Sequence, residues 1–477
     1  MRPATKAIGA LTLAATVGVV GDAQEADAQF NPLLEDRERP VLGAMHSLEG
    51  RLQPFDRRGA TIAETDNIEF NFGFHFIGRG QYLTQDDVRS FDGDEWFTPT
   101  DMGFGMQTGF GNLNWQLLIG EGDIEVFFDA FLATQRHPTR TWGHNGYIYL
   151  RSFPDDLPLA VMNPLLEHVD LKVGNFYPDF GNTVHYRTLN ADAVRNSLIG
   201  NPIVSPHGVE PGAEVIHRGD RYGVMVGAGI GAPEEDFHED RSLSLRTKAW
   251  LSPLEGTELA YSLYTVSHDE GVDRGTNLHR RERLGSSYAD VWTPGFSDGG
   301  GGEGPGQVRI GDGVELTTHQ VDAHWDVTDR TFVNGHFGYI DATESGYQTA
   351  LTGDEEWLYY GADVTQYLGE SVYLAGRYSA ANARELDYSA SDPDVLAVDP
   401  ANAVTDGTID RWQLGFGIWV TDRMLVKTEF VRQAASGFDA LEVDATGEAG
   451  LQGISGQTDV SLDPTFDGLI FELSYAF

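Results

Sequence analysis

The chain has 477 residues, with Asp+Glu 73 against Lys+Arg 32 and a formal charge of −41. Such a field repels phosphate backbones and excludes a nucleic-acid binder. With Cys 0 there are no thiolate metal sites, cysteine nucleophiles or disulfides. Phe 26, Tyr 18 and Trp 9 exceed what a disordered acidic chain carries, and Gly 57 is well above the average share of ~7%.

Residues 1–28 read as a secretory signal peptide. Arg2 and Lys6 supply a basic start, Ala7 to Val20 an apolar run, and Ala26-Asp27-Ala28 a small-residue cleavage site. Residues 29–67 carry Pro, paired charges and little alternation, and are expected to form a periplasmic N-terminal segment or a small plug. No later stretch reaches 18 consecutive apolar residues, so no transmembrane helix is expected.

From residue 68 onward the pattern has period two. In Ile68-Glu69-Phe70-Asn71-Phe72-Gly73-Phe74-His75-Phe76 the apolar side chains share one face of a strand, whereas a helix would scatter them. Leu113, Trp115, Leu117 and Ile119 alternate with Asn112, Asn114 and Gln116. Leu243, Leu245 and Leu251 oppose Ser244, Arg246 and Lys248, and Val321, Ala323, Trp325 and Val327 oppose Gln320, Asp322, His324 and Asp326. Trp412, Leu414, Phe416 and Ile418 oppose Arg411, Gln413, Gly415 and Gly417.

About sixteen strands are expected, beginning near residues 68, 108, 123, 147, 168, 213, 221, 242, 257, 313, 330, 356, 370, 408, 423 and 465. Their lengths of ~9–13 residues match a tilted membrane crossing better than the ~5–6 of soluble strands. Short turns such as Gly219-Asp220, Thr328-Asp329 and Thr421-Asp422 alternate with long Gly/Asp/Pro-rich loops near 79–107, 177–212, 268–312, 380–407 and 433–464. The stretch 154–167 is intermediate. This rhythm predicts an all-β fold over 68–477, a transmembrane antiparallel barrel of about 16 strands (16–18) with short periplasmic turns and long extracellular loops. Strands in lipid must close, because an open edge leaves backbone groups unpaired in hydrocarbon.

The last strand alternates Leu469, Phe471, Leu473, Tyr475 and Phe477 with Gly468, Ile470, Glu472, Ser474 and Ala476. A terminal aromatic at the end of such a strand resembles the C-terminal assembly signal of bacterial outer-membrane proteins. Phe471, Leu473, Tyr475 and Phe477 would then be read by the barrel assembly machinery.

The third external connection contains Pro178-Asp179-Phe180-Gly181. It resembles the Pro-Glu-Phe-Gly sequence in the constriction loop of enterobacterial porins, with Asp for Glu and Asn182 for a second Gly. The chain is thus similar to the porin superfamily, by topology over the mature length and by sequence in two short segments. Phosphate-selective porins are similar in size, but their lysine-rich pore has no counterpart here. The resemblance implies a third loop folded into the lumen, no catalysis, no cofactor or bound metal, and a homotrimer.

Such a loop would make Asp179, His185, Arg187, Asp192, Arg195, His207, Glu210 and Glu214 the constriction. Lys172, Arg246, Lys248, Arg377, Arg411 and Lys427 would form the pore wall opposite it. An acidic loop facing a basic wall gives a transverse field that orients dipolar solutes. Inward Asn71, Asn112, Asn114, Gln116, Asp129, Asn334, Arg411 and Gln413 would supply a hydrogen-bonding wall for water and small hydrophilic solutes.

Other signals read more plainly. His75, His324 and His336 are expected to be wet lumen residues. The acidic loops holding Asp92, Asp94 and Glu95, or Asp392, Asp394, Asp399 and Asp406, lack EF-hand spacing; divalent cations bridging them to lipid are a secondary expectation. Gly299 to Gly306 lacks a following Lys-Ser/Thr and is no phosphate loop. Trp250, Tyr261, Tyr339, Tyr367 and Trp419 are candidates for interfacial girdles. Two rival functions stand beside the porin: a channel for hydrophobic substrates with a short N-terminal hatch, and a barrel enzyme using a pair such as His217 and Asp220.

Overall fold

A strand whose alternate side chains differ in polarity needs two different surroundings, one for each face. In this protein nearly every element is such a strand. The computed structural model describes residues 59–86, 90–92, 95–97, 103–120, 123–133, 142–155, 157–182, 203–204, 209–219, 221–231, 242–268, 278–279, 310, 315–347, 351–369, 371–390, 407–421, 424–437 and 465–476. The strands are β1 (Ala60–Thr65), β2 (Ile68–Asp86), β3 (Ser90–Asp92), β4 (Glu95–Phe97), β5 (Gly103–Ile119), β6 (Ile124–Ala133), β7 (Trp142–Leu150), β8 (Asp170–Phe176), β9 (Glu210–Arg218) and β10 (Tyr222–Gly229). They continue with β11 (Ser242–Leu251), β12 (Thr257–His268), β13 (Glu315–Thr328), β14 (Thr331–Tyr347), β15 (Leu351–Tyr367), β16 (Val372–Ala390), β17 (Thr408–Thr421), β18 (Met424–Ser436) and β19 (Thr465–Ala476).

Seventeen of these form one antiparallel sheet, and β3–β4 is a separate two-stranded hairpin. Leaving β1 aside, the other sixteen each pair on both edges. The ladders run from β2 through β5, β6, β7, β8 and β9 to β10. They continue in sequence order to β19, which pairs with β2 again, from Thr465 against Asp86 to Ala476 against His75. The pairings therefore return to where they began. All sixteen strands begin within about five residues of their sequence-expected starts.

Which face is enclosed follows from burial. On β17, Arg411 and Gln413 are 0% exposed, while their neighbours Trp412 and Leu414 are 56% and 63% exposed. The same inversion recurs around the ring. Asn71, Gln116, Glu125, Arg246, Lys248, Gln320, Asn334 and Gln433 are buried, and Ile148, Val215, Leu245, Trp325, Phe337 and Leu473 are exposed. A soluble β-sandwich would bury the apolar set. Here the polar set faces the enclosed side.

Glycine makes room on that side. The inward ring of Trp250 lies over Gly223, Tyr359 over Gly338, and Tyr373 over Gly417, each pair directly cross-strand. A Cβ on Gly338 would stand 2.1 Å from the Tyr359 ring, and one on Gly417 would stand 2.0 Å from the Tyr373 ring. Part of the chain's glycine content is therefore the space that large inward rings occupy.

Several expectations need correction. Strands β2, β14, β15 and β16 run to 17–19 residues, so parts of the regions expected as loops, 79–107 and 380–407, are strand. Only residues 348–350 separate β14 from β15, where the alternation of short turns and long loops expects a long one. The sheet also begins earlier than residue 68. Strand β1 pairs with the first residues of β2, from Ala60 against Phe72 to Thr65 against Ile68, on the edge that β19 uses further along. Trp250, Tyr367 and Trp419 face inward and are buried; Tyr261 does face outward. The rest of 29–67, the signal segment, Phe477, the Gly-rich stretch and most of the acidic loops lie outside the described residues.

The glycine seats make a direct prediction. Gly338→Ala should cost roughly 1–3 kcal/mol through overpacking, because the Tyr359 hydroxyl is fixed by donating to Gln320 Oε1 at 2.9 Å. Urea unfolding in lipid vesicles measures it, and unchanged stability would show that the ring is not seated there.

Candidate functional site: the charged interior

Strands β9, β11 and β12 place Glu210, Glu214, Ser244, Arg246, Lys248, Ser262 and Tyr264 on one inward face, because each sits at even spacing along its strand. Arg246 Nε donates to Glu214 Oε1 at 2.7 Å, and its NH1 pairs with Glu210. Glu210 also accepts from Ser244 Oγ at 2.7 Å and from the Tyr264 hydroxyl at 3.1 Å. Lys172, on β8, stands 3.5 Å from Glu214 and 4.0 Å from the centre of the Phe176 ring. A buried guanidinium is tolerable only with partners of this kind.

The start of the third connection lies on this same wall. Lys248 Nζ donates to Asp179 Oδ1 and to the Gly181 carbonyl, both at 2.8 Å. The Gly181 N–H donates to Ser262 Oγ at 3.0 Å, and Asn182 Nδ2 to Glu258 Oε1 at 2.8 Å. Phe180, Ile203, Val204, Leu278 and Ile310 are buried with wall residues in one apolar cluster. The Pro178-Asp179-Phe180-Gly181 motif is therefore packed against the inner wall by its own side chains and backbone.

The far side, half-way round the ring, holds a second set. Arg411 Nε donates to Gln433 Oε1, Gln413 Nε2 donates to Glu429 Oε1 at 2.6 Å, and Lys427 stands 2.8 Å from Glu472. Arg377 is buried opposite Asp363, which accepts from Asn334 Nδ2 at 2.8 Å. Between the two sets, on β13 and β14, His324 bonds to Asn334 and Asp326, and His336 is buried on the same inward face as Asn334.

The sequence-expected residues thus divide. All six wall cations face inward, but Lys172, Arg246 and Lys248 lie on the loop's own side, and only Arg377, Arg411 and Lys427 lie across from it. Of the constriction set, Asp179 is in the connection, whereas Glu210 and Glu214 belong to strand β9. Arg187, His185, Asp192, Arg195 and His207 lie outside the described residues, as does the side chain of His75. His217 faces outward and donates from Nδ1 to the His168 carbonyl at 2.8 Å, and Asp220 lies outside the described residues. Phe471, Leu473 and Tyr475 sit on the outward face of β19.

One residue of this site went unread in the sequence. His279, in the connection between β12 and β13, is buried with Nδ1 at 3.1 Å from the Ile203 carbonyl and Nε2 at 2.7 Å from Thr318 Oγ1. It ties two connections to the wall of β13. Nothing in its local sequence marks it, because the contact joins residues 76 apart.

No family model matches the sequence, and no curated protein is similar to it in sequence. Several solved structures are similar in fold. The outer-membrane channel DcaP of Acinetobacter baumannii shows 11% identity and a TM-score of 0.49, over 88% of this chain and 100% of that one. OmpT, an outer-membrane protein of Vibrio cholerae, shows 10% identity and a TM-score of 0.48, over 88% and 100%. Salmonella typhi OmpF, in a complex with daunomycin, shows 10% identity and a TM-score of 0.45, over 87% and 99%.

Burial lowers the pKa of His279 to about 4, against the opposing pull of the Ile203 carbonyl. Folding therefore favours the neutral ring. Its contribution is whole above about pH 6.5 and is lost as pH falls through about 4. The difference in urea-unfolding free energy between the protein and His279→Gln should shrink by up to ~3 kcal/mol over that window. A pH-independent difference would remove His279 from the tie.

Proposed function

We propose that this protein is an outer-membrane porin, a water-filled channel through which small hydrophilic solutes or ions diffuse passively. The observation that carries it is the inverted partition: a ring of strands with apolar side chains outward and paired polar side chains inward. In water each large outward side chain would forfeit roughly 1.5–3 kcal/mol of burial. In hydrocarbon that cost vanishes, and sixteen strands paired on both edges spare most of their backbone groups the penalty of an open edge. Localisation in a bacterial outer membrane after removal of a signal peptide, assembly through the last strand, and a homotrimeric state belong to the same reading.

The constriction is assigned to Asp179 and the loop it begins, narrowed against the far wall that carries Arg377, Arg411 and Lys427. Buried inward carboxylates (Glu125, Asp129, Asp179, Glu210, Glu214, Glu258, Asp322, Glu355, Asp363, Glu429, Glu472) outnumber the six wall cations. A preference for cations follows for any passage lined by them. The hydrophobic-substrate reading has the apolar cluster around Phe180 and Ile203 in its favour, but that cluster is spent on packing the connections to the wall. Of the pair the enzyme reading named, His217 is bonded to the His168 carbonyl and Asp220 lies outside the described residues.

Planar-bilayer recording tests the reading. Folded protein should give discrete conductance steps with a reversal potential on the cation side, and Arg411→Glu should move it further that way. No steps above background would discard the open channel; an unchanged reversal potential would take Arg411 out of the passage. Lys248→Met should enlarge the steps by releasing residues 179–181, and an unchanged conductance would mean that this segment does not narrow the path.

A further inference from the structure

The connection between β7 and β8 is built, and among the described residues most of its apolar side chains are uncovered. A 3-10 turn, Pro158–Met162, leads into one helical turn, Asn163–Leu166. Asn163 clamps the base: the Phe153 N–H donates to its Oδ1 at 2.8 Å, and its Nδ2 donates to the Phe153 carbonyl at 2.9 Å. Leu166 is buried as the anchor. Leu157, Leu159, Val161, Met162 and Leu165 are exposed, Val161 to 81%.

Its place in the fold says what it meets. The connection lies at the end of the ring that carries the short turns, since β7 and β8 are joined there. The His168 carbonyl at its close is held by the outward-facing His217, so this end is fastened on the outer side of the ring. Directly along the same strands lie the outward Ile148, Val173 and Val215, all 44–46% exposed. The apolar surface of the connection is therefore continuous with the apolar belt of the sheet. Residues 152–167 contain Asp155, Asp156 and Glu167 but no Lys or Arg, so the surface offers apolar area and no attraction to an anionic partner.

We propose that residues 157–165 form a lipid-seated foot, inserted among phospholipid chains at the boundary of the periplasmic leaflet that surrounds the strands. The proposal rests on the channel reading. Short apolar segments can lie in that boundary plane without spanning the membrane. The foot fixes the height and tilt of the β7–β8 corner relative to the leaflet, at the end of β8 opposite the one from which the third connection departs.

Because the chain has no cysteine, Val161→Cys introduces a unique thiol. A spin label there, in the full chain reconstituted in phospholipid vesicles, is read by its collisions with oxygen, which concentrates in lipid, and with a water-soluble nickel chelate. Val226→Cys, outward at mid-strand on β10, and Asp329→Cys, exposed in the β13–β14 turn, are the lipid and water references. The label at 161 should give an oxygen-to-nickel ratio several-fold above that at 329 and close to that at 226. A ratio at 161 matching 329 overturns the foot while leaving the channel reading intact, provided that 226 reads as lipid. A water-like ratio at 226 sinks the channel reading itself. Shielding of 161 from both reagents overturns the foot too, and assigns the patch to a second copy where the labels broaden one another or to another protein where they do not.

Discussion

A peptide group surrounded by hydrocarbon has no water to bond, so each backbone N–H and C=O must find its partner within the protein. For strands this means a ring without edges, and a ring forces its side chains into two environments. On the proposed membrane reading the rest of the structure follows from that. Trp412, Leu414 and Phe416 are free to be large and apolar because they face outward, and Arg411, Gln413 and Glu429 are bound to be paired because they face in. Strand β1 adds to the same economy of edges: it covers the first residues of β2, which β19 does not reach.

The enclosed side is crowded, and its crowding has a shape. Large inward rings rest on cross-strand glycines, so ring and glycine act as a single unit whose volume is that of the ring alone. Charges are grouped the same way. Arg246 is shared by Glu210 and Glu214, and Lys248 by Asp179 and the Gly181 carbonyl. Removing one member leaves the other buried and unpaired, a larger penalty than the pair is worth intact. The connection from Tyr177 to Asn182 is held by such a group, which ties a polar wall to the folding of a loop.

Much of this was legible in the sequence, and the parts that were not share a cause. Strand starts were readable because period two survives wherever the outward face is apolar and the inward face polar. Strand ends were less so. Beyond the apolar belt the outward positions turn polar, as with Asp341, Glu356 and Glu385, which lie in register across β14, β15 and β16; there a strand looks like a loop. The girdle assignment of Trp250, Tyr367 and Trp419 failed although parity was sufficient to correct it, since Trp250 is two residues from Lys248 and shares its face. The placing of Lys172, Arg246 and Lys248 beneath the third connection, and the burial of His279, rest on contacts between distant residues, for which the sequence carries no local signal.

That placing changes the electrostatics expected of the interior. An acidic loop facing a basic wall gives a field across the gap between them. Here the loop's Asp179 is neutralised by Lys248 at 2.8 Å and Glu214 by Arg246 at 2.7 Å. Opposite charges that close present only a dipole to anything farther off, and its potential fades much faster than that of a single charge. On the far side Lys427 and Glu472 cancel in the same way. The field a passing solute would meet therefore comes from carboxylates in excess of the cations, spread over the wall, rather than from two opposed banks. On the proposed channel reading, such a wall would sort solutes by the sign of their charge and have little means of orienting a dipole, so selectivity would be set by the balance of the inward residues and not by the loop alone.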